Sequence, residues 1–332
     1  MKSIIIAEAG VNHNGELKKA KRLVEIAANS GADFIKFQTF NADDLTTKFA
    51  PKAEYQILAT RSNESQHEML RKLELSQDIY LELIEYSKAQ NIGIISTAFD
   101  IKSADMLKSL GQTIFKIPSG EITNLPYLRH VGSFQSSVIL STGMSNLDEI
   151  GSAIEVLCNA GTPKSRITVL QCTSAYPAPI QEVNLLAMLG IRDAFDVAVG
   201  YSDHTLGFEI SLAAAALGAT VIEKHFTIDR NLPGPDHRIS LEPEELLTMV
   251  KQIRNIEIGL GDVTKRASLS ELENVQIVRK SIVAKRAIKI GEVLTEENLT
   301  TKRPGTGISP IHWDRVVGSM ARRDYGMDEL ID

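Results

Sequence analysis

The sequence predicts an α/β protein: a (β/α)8 barrel, or TIM barrel, followed by a small C-terminal domain. Three observations carry that expectation. Eight short apolar runs alternate with helical patterns over about 260 of the 332 residues. The runs are apolar throughout rather than alternating, the pattern of parallel strands buried on both faces. The runs also end in polar or charged residues spaced two apart, so that on a strand they share one face.

In chain order the runs are SIIIAE (3–8), DFIKFQ (33–38), IGIISTAF (92–99), TIFKIPSG (113–120), SVILSTG (137–143), ITVLQCT (167–173), DVAVGYS (196–202) and TVIEKHF (220–226). Helical spacing fills the gaps. The first helical stretch places Leu17, Ala20, Val24 and Ala27 or Ala28 on one face and stops at Gly31, a residue suited to ending a helix. Further helices are expected at 77–90, 101–111, 146–161, 208–219 and 242–261. A doubly wound open sheet is the rival architecture, but GVNHNG after the first strand lacks the spacing of a dinucleotide-binding turn. Eight strand–helix alternations favour the barrel.

Two stretches break the repeat. Residues 40–76 form a long polar insertion after the second strand, the kind of loop that serves as a lid or a subunit contact. Beyond Gly261 a charged connector spans 262–280, so the expected domains are a barrel over 1–261 and a small domain over 281–332. A unit of about 50 residues is marginal alone and is expected to dock onto something larger.

Composition sets limits on function. The chain is 43% hydrophobic and 23% charged, with a formal net charge of −6, which argues against nucleic acid or anionic membrane as a partner. No apolar run approaches the roughly 20 residues of a bilayer span, and MKSIIIAEAG leads straight into a strand rather than reading as a leader. Only Cys158 and Cys172 are present, so a disulfide framework is not expected and a reducing cytoplasm is.

Barrel enzymes work at the carboxyl ends of their strands. Those ends carry Glu8, Lys36 and Gln38, Thr97, Lys116 and Ser119 with Glu121, Ser141, Ser174 and Tyr176, Ser202 and His204, and Glu223 and His225. Charges inside buried runs are costly unless paired, metal-bound or used. Two imidazoles from adjacent strands, His204 and His225, can hold a divalent metal; the bland alternative is a pair of hydrogen-bonded core histidines. His13, in the VNHNG turn, suits turn stabilisation at least as well as ligation. Lys36 and Lys116 with Thr97, Ser119, Ser141 and Ser202 form a cationic, hydroxyl-rich cradle for phosphate and carboxylate. Two readings compete with that: a lysine merely paired to a barrel glutamate, and a Schiff-base lysine of a class I aldolase. The NLPGPDH segment makes a rigid turn carrying Asp236, and KRPGTG makes a basic turn carrying Arg303.

The stretches IIIAEAGVNHNG, KFQTF, STAFD, KIPSGE, STGM, YSDHTLG, EKHFT, GPDH and KRPGTGI, in this order, resemble the sialic acid synthase family over nearly the whole chain. The tail is similar to that family's SAF domain, an antifreeze-like β-clip. The resemblance implies condensation of phosphoenolpyruvate (PEP) with an N-acetylmannosamine-type sugar, phosphate leaving by C–O cleavage. It implies a divalent metal on His204 and His225, most often Mn2+, with Mg2+ or Co2+ as substitutes. It implies PEP on Lys36, Thr97, Lys116, Ser119, Ser141 and Ser202, with Glu8, Gln38 and Glu223 lining the centre. The sugar would meet Gln38, Glu121, Ser174, Tyr176 and Asp236, and Arg303 would reach it from the other subunit of a domain-swapped homodimer. Departures bear on the acceptor. Ser174 stands in TSAYP where sialic-acid-forming bacterial members carry Asn, and KFQTF, IPSGE and RKSIV also differ. The pattern looks closer to legionaminic acid synthases, which take 2,4-diacetamido-2,4,6-trideoxymannose, than to N-acetylneuraminate synthases. A non-catalytic carbohydrate-binding protein on the same frame is the reading from outside enzymology.

Overall fold

Continuous apolar runs close into one parallel barrel of eight strands in the computed structural model, which describes residues 2–60, 62 and 64–332. The barrel portion runs β1 (Ile4–Gly10), α1 (Leu17–Asn29), β2 (Phe34–Thr39), α2 (Ala42–Leu45), α3 (Glu54–Thr60), α4 (Gln66–Arg71), α5 (Gln77–Ala89), β3 (Gly93–Ala98) and α6 (Ile101–Ser109). It continues with β4 (Ile114–Ile117), α7 (Leu125–Ser133), β5 (Ser137–Ser141), α8 (Leu147–Ala160), β6 (Ile167–Cys172), α9 (Ala187–Phe195), β7 (Ala198–Asp203), α10 (Glu209–Ala216), β8 (Val221–His225) and α11 (Pro243–Leu260). Strands pair in sequence order, and β8 closes on β1 with Glu8 opposite His225.

Outward-facing strand residues such as Ile5, Ala7, Ile35, Phe37 and Tyr201 pack against the helices in the main core. Inside the barrel a second cluster, Ile6, Ile95, Ile139, Leu170 and Val221, forms an apolar floor. Two residues further along six of the strands the interior turns polar: Ile6 gives way to Glu8, Phe34 to Lys36, Ile95 to Thr97, Ile114 to Lys116, Ile139 to Ser141 and Val221 to Glu223. Because the strand period is two, one register aims both the floor and the reactive layer inward. The barrel therefore stacks a stabilising layer under a functional one.

Helix ends follow their sequences. Asn146 caps α8 in a capping box with Glu149, and Pro243 opens α11, where its missing N–H costs nothing. The insertion is less polar than its sequence suggested. It carries α2, α3 and α4, and Phe40, Met69 and Leu73 bury with Val11 in a cluster of their own. Arg61 and Asn63 of that insertion lie outside the described residues.

The chain divides into two compact units, Met1–Gly261 and Asp262–Asp332. The second holds α12 (Leu269–Val278), none of whose residues is buried, followed by the antiparallel pair β9 (Ser281–Ala284) and β10 (Leu299–Lys302) and by α13 (Trp313–Val316), with a small core including Ile282, Ile288, Leu294 and Tyr325. Much of the stretch read as a connector is the helix α12, and Gly305 N donates to the Gln276 carbonyl at 2.7 Å. That bond ties the helix to the small unit. Among the described residues no helix is long and apolar enough to cross a membrane.

Candidate active site

Register brings the reactive layer together at the barrel mouth. Glu8, Lys36, Lys116 and Glu223 are all buried. Lys36 Nζ lies 2.8 Å from Glu8 Oε2 and 3.7 Å from Glu223 Oε2, and it donates to Thr97 Oγ1 at 2.8 Å. Lys116 Nζ donates to Ser141 Oγ at 2.7 Å and stands 3.6 Å from Glu223 Oε1. Both lysines are therefore paired to barrel carboxylates, as the bland sequence reading allowed, yet each also holds a hydroxyl facing the same cavity. Gln38 Nε2 donates to Glu8 Oε1 at 3.2 Å, and Ser202 Oγ donates to Glu223 Oε1 at 3.0 Å.

Burial divides these charges unequally. Burial drives Glu8 above the usual carboxylate range; Lys36 draws it back without overcoming burial and the nearby Glu223. Glu223 feels the same burial, but Lys116 and Lys36 outweigh it and hold its pKa at about 2. Lys36 stays above the ordinary lysine value because Glu223 and Glu8 overcome burial, whereas burial and the charge on Lys36 leave Lys116 below it. Two carboxylates pushed apart in this way take different roles: Glu223 is a fixed charge and Glu8 can carry a proton.

Ser119 sits in a short turn after β4, where its Oγ accepts from Gly143 N at 2.9 Å and lies 3.3 Å from Cys172 Sγ. Gly143 is dictated by close approach: a Cβ there would lie 2.0 Å from Ser174 Oγ. Gly10, with φ of +52°, turns the chain at the end of β1, and a Cβ on it would touch Gln38, Glu8 and His225.

His204 follows β7 and His225 ends β8; their ring centroids are 5.7 Å apart. His204 Nδ1 meets the Thr173 carbonyl at 2.8 Å. A carbonyl only accepts, so Nδ1 bears the hydrogen and the Nε2 lone pair is left for a ligand. His225 Nδ1 is buried without a hydrogen-bond partner. Burial lowers the pKa of both rings, which keeps them in the neutral, ligating form. The donor set fits a divalent cation held by two imidazoles. Among the described residues no cluster of three or more His, Cys, Asp or Glu side chains is arranged to hold one, so water or substrate would complete the shell.

These residues line a cavity of about 480 Å³, which also takes in Ser174 and Tyr176. A second cavity of about 320 Å³ adjoins it and is lined by Glu121, Tyr176, His225 and Asp236. The Tyr176 ring lies 4.4 Å from that of His204. Glu121 accepts from Asn124 Nδ2 at 2.5 Å, and partial burial raises its pKa. Asp236 is raised to about 7, chiefly by burial and further by Glu8. Its backbone is pinned: Asn12 Nδ2 donates to Ser240 Oγ at 3.0 Å, and Ser240 Oγ donates to the Asp236 carbonyl at 2.6 Å. Arg303 lies in the small unit just past β10, its Nε donating to the Val278 carbonyl at 2.9 Å. His13 serves the turn, its Nδ1 accepting from Gly15 N at 3.0 Å.

Sequence reasoning passed over Asp203 and Lys224, a buried ion pair beside the two histidines, and the cavity residues Gln66, Met69 and Phe99. Lys224 was discoverable, because a lysine at an outward position of a buried strand is as costly as Lys36 at an inward one. The insertion residues carried no comparable signal.

Barrel and buried polar mouth define an enzyme of the kind that works at the carboxyl ends of its strands. The chain belongs to the NeuB family, whose pattern matches residues 23–265, with a SAF domain at residues 279–332. It is 56% identical over 330 residues to the N,N'-diacetyllegionaminic acid synthase of Campylobacter jejuni, covering 99% of each chain. It is 48% identical to the enzyme of the same name from Legionella pneumophila, covering 96% of this chain and 90% of that one. Among solved structures it matches the N-acetylneuraminic acid (sialic acid) synthetase of Leptospira borgpetersenii in complex with citrate. That match has a TM-score of 0.72 and 35% identity, covering 83% of this chain and 90% of the other.

Proposed function

We propose that the protein condenses PEP with an N-acetylated mannosamine-type sugar to give a nonulosonic acid and phosphate. The favoured acceptor is 2,4-diacetamido-2,4,6-trideoxymannose, making the product N,N'-diacetyllegionaminate. The observation that supports the reaction is the juxtaposition of Lys36 and Lys116, each with its hydroxyl, and two neutral imidazoles in one cavity. The acceptor choice rests on the 56% identity to a synthase of that name.

Carbon 3 of PEP forms a bond to the sugar's aldehyde carbon and positive charge develops at carbon 2, while the former aldehyde oxygen takes up the proton that the adding water gives up through Glu8. Lys36 and Lys116 keep the phosphate and carboxylate in place throughout, and Glu223 keeps the two lysines charged and oriented. A water adds at carbon 2, and Glu8 is the carboxylate poised to take its proton. The carbon 2–oxygen bond then breaks, phosphate leaves with the bridging oxygen and takes the proton of the carbon 2 hydroxyl, and carbon 2 becomes the ketone carbonyl. With both glutamates ionised, the two lysines and two carboxylates cancel, so further positive charge is needed to attract a polyanion. His204 and His225 would hold a divalent cation, Mn2+ first and Mg2+ or Co2+ next, which supplies that charge and Lewis acidity toward the aldehyde oxygen.

The protein is also proposed to work as a homodimer in a reducing cytoplasm, with Arg303 of one copy serving the sugar of the other. Leu269, Leu272 and Ile277 on α12 are 88%, 51% and 64% exposed, an apolar surface that favours cover, and both cysteines are free. Sedimentation of a monomer at micromolar concentration would remove that part. The reaction is tested by phosphate release from PEP with Mn2+ and each candidate aminosugar. Isotope in the PEP bridging oxygen should appear in phosphate, and its retention in the sugar acid would contradict C–O cleavage.

A further inference from the structure

The smaller cavity has a one-sided chemistry. Its barrel side presents Glu121, Tyr176, His225 and Asp236, whereas the insertion contributes the apolar Phe40, Leu45, Met69, Leu70 and Leu73 together with the polar Thr46, Gln56 and Gln66. Met69, Leu73 and Phe40 are at most 7% exposed and pack together, with Leu45 and Leu70 against them. Gln66, from α4, lines both this cavity and the larger one beside it. Its Oε1 accepts from Thr46 Oγ1 at 3.3 Å, so the amide's remaining polar atom, Nε2, is a donor, suited to a carbonyl.

A sugar hydroxymethyl set against the apolar cluster of Phe40, Leu45, Met69 and Leu73 would lose water and gain no partner from it, whereas a methyl group would gain contact. An acetamido carbonyl would find the amide donor it needs. We infer that the insertion between β2 and α5 is the acceptor-specificity element: Phe40, Leu45, Met69 and Leu73 receive the methyl end of a 6-deoxy acceptor, and Gln66 hydrogen-bonds an acetamido group beside it. This rests on the proposed condensation and assigns the discrimination within it to residues outside the strand ends.

The test compares kcat/KM for 2,4-diacetamido-2,4,6-trideoxymannose with that for its 6-hydroxy counterpart. Adding a hydroxyl against an apolar wall is expected to lower kcat/KM on the order of 10- to 100-fold. Met69→Gln should shrink that ratio by raising the KM of the 6-deoxy sugar and lowering that of the 6-hydroxy sugar, with the KM for PEP unchanged. Leu45→Gln, at a half-buried position, repeats the test if Met69→Gln does not fold. Gln66→Leu should weaken acceptors bearing the second acetamido group by a larger factor than N-acetylmannosamine. Equal turnover of the 6-deoxy and 6-hydroxy sugars, or a ratio unmoved in the folded variants, overturns this inference and leaves the condensation standing. Absence of phosphate release with every aminosugar overturns the condensation, and the inference with it.

Discussion

Asp203 and Lys224 form an ion pair at 3.2 Å with both side chains fully shielded from solvent, and each immediately precedes one of the two cavity histidines. Asp203 also accepts from Thr205 N at 2.9 Å and from Ser211 Oγ at 2.7 Å, while Lys224 donates to the Thr205 carbonyl at 2.6 Å. The network lies on the outer side of β7 and β8 and fixes where both strands release their imidazoles. Removing one partner strands a buried charge. Lys224→Met is therefore expected to cost about 3–5 kcal/mol, read by chemical denaturation. Asp203→Leu with Lys224→Met should recover much of the loss, and a double variant as unstable as the sum of the singles would show that the pair is not coupled.

Removal of metal should silence the enzyme and be reversible. Chelation is expected to abolish phosphate release, and Mn2+ to restore it in the wild type but not in His225→Ala. Binding supplies a reading independent of activity: the electron paramagnetic resonance signal of free Mn2+ should fall on addition of wild-type protein and persist with His204→Ala or His225→Ala. Full Mn2+ uptake by both variants would place the cation elsewhere.

The barrel was legible because its strands are short, apolar and buried on both faces. Each run read from sequence overlaps a strand, from Ile4–Gly10 to Val221–His225. The polar strand ends were legible for the same reason: Lys36 or Glu223 inside such a run stands out as a cost. The helices α7 and α9 escaped because LPYLRHVGS and AMLGIRDAF are short and carry Pro or Gly, which weakens helical spacing as a signal. The apolar wall from Leu45, Met69 and Leu73 escaped for another reason. Leu45 ends α2, while Met69 in α4 and Leu73 just past it lie more than 20 residues further on, so no single period links the two parts and only tertiary packing brings them together.

Lys116 separates condensation from aldolase chemistry. Burial lowers its pKa, which a Schiff-base lysine would also require. Its bonds point the other way: it donates to Ser141 and lies 3.6 Å from Glu223, the environment of a retained ammonium. Lys116→Met is expected to reduce kcat/KM for PEP by about 10- to 100-fold, the value of one charge-assisted hydrogen bond. Borohydride should leave the wild type active in the presence of sugar, and a reduced adduct on Lys116 found by mass spectrometry would reinstate the imine.

Asp236 gives the pH dependence a defined sign. Its carboxyl has an ordinary pKa of 3.8 and is raised to about 7 in the folded protein, mainly by burial. Between these values the native state holds a proton that the unfolded chain has released. Stability must therefore fall as pH rises through that window and level off above about 7. The slope approaches roughly 1.4 kcal/mol per pH unit in mid-window and cannot exceed it for one group. Asp236→Asn keeps the shape and cannot ionise, so its stability should lack this slope between pH 5 and 7, and it should gain on the wild type as pH rises. Denaturant midpoints at pH 5, 6, 7 and 8 measure it. The same titration changes what the cavity offers the acceptor: a neutral Asp236 donates a hydrogen bond, while an ionised one only accepts and adds charge near Glu8. The wild-type KM for the sugar should therefore shift across neutral pH, and that of Asp236→Asn should lose this component. Parallel stability slopes in wild type and variant would show that Asp236 ionises normally and that its burial is relieved in solution.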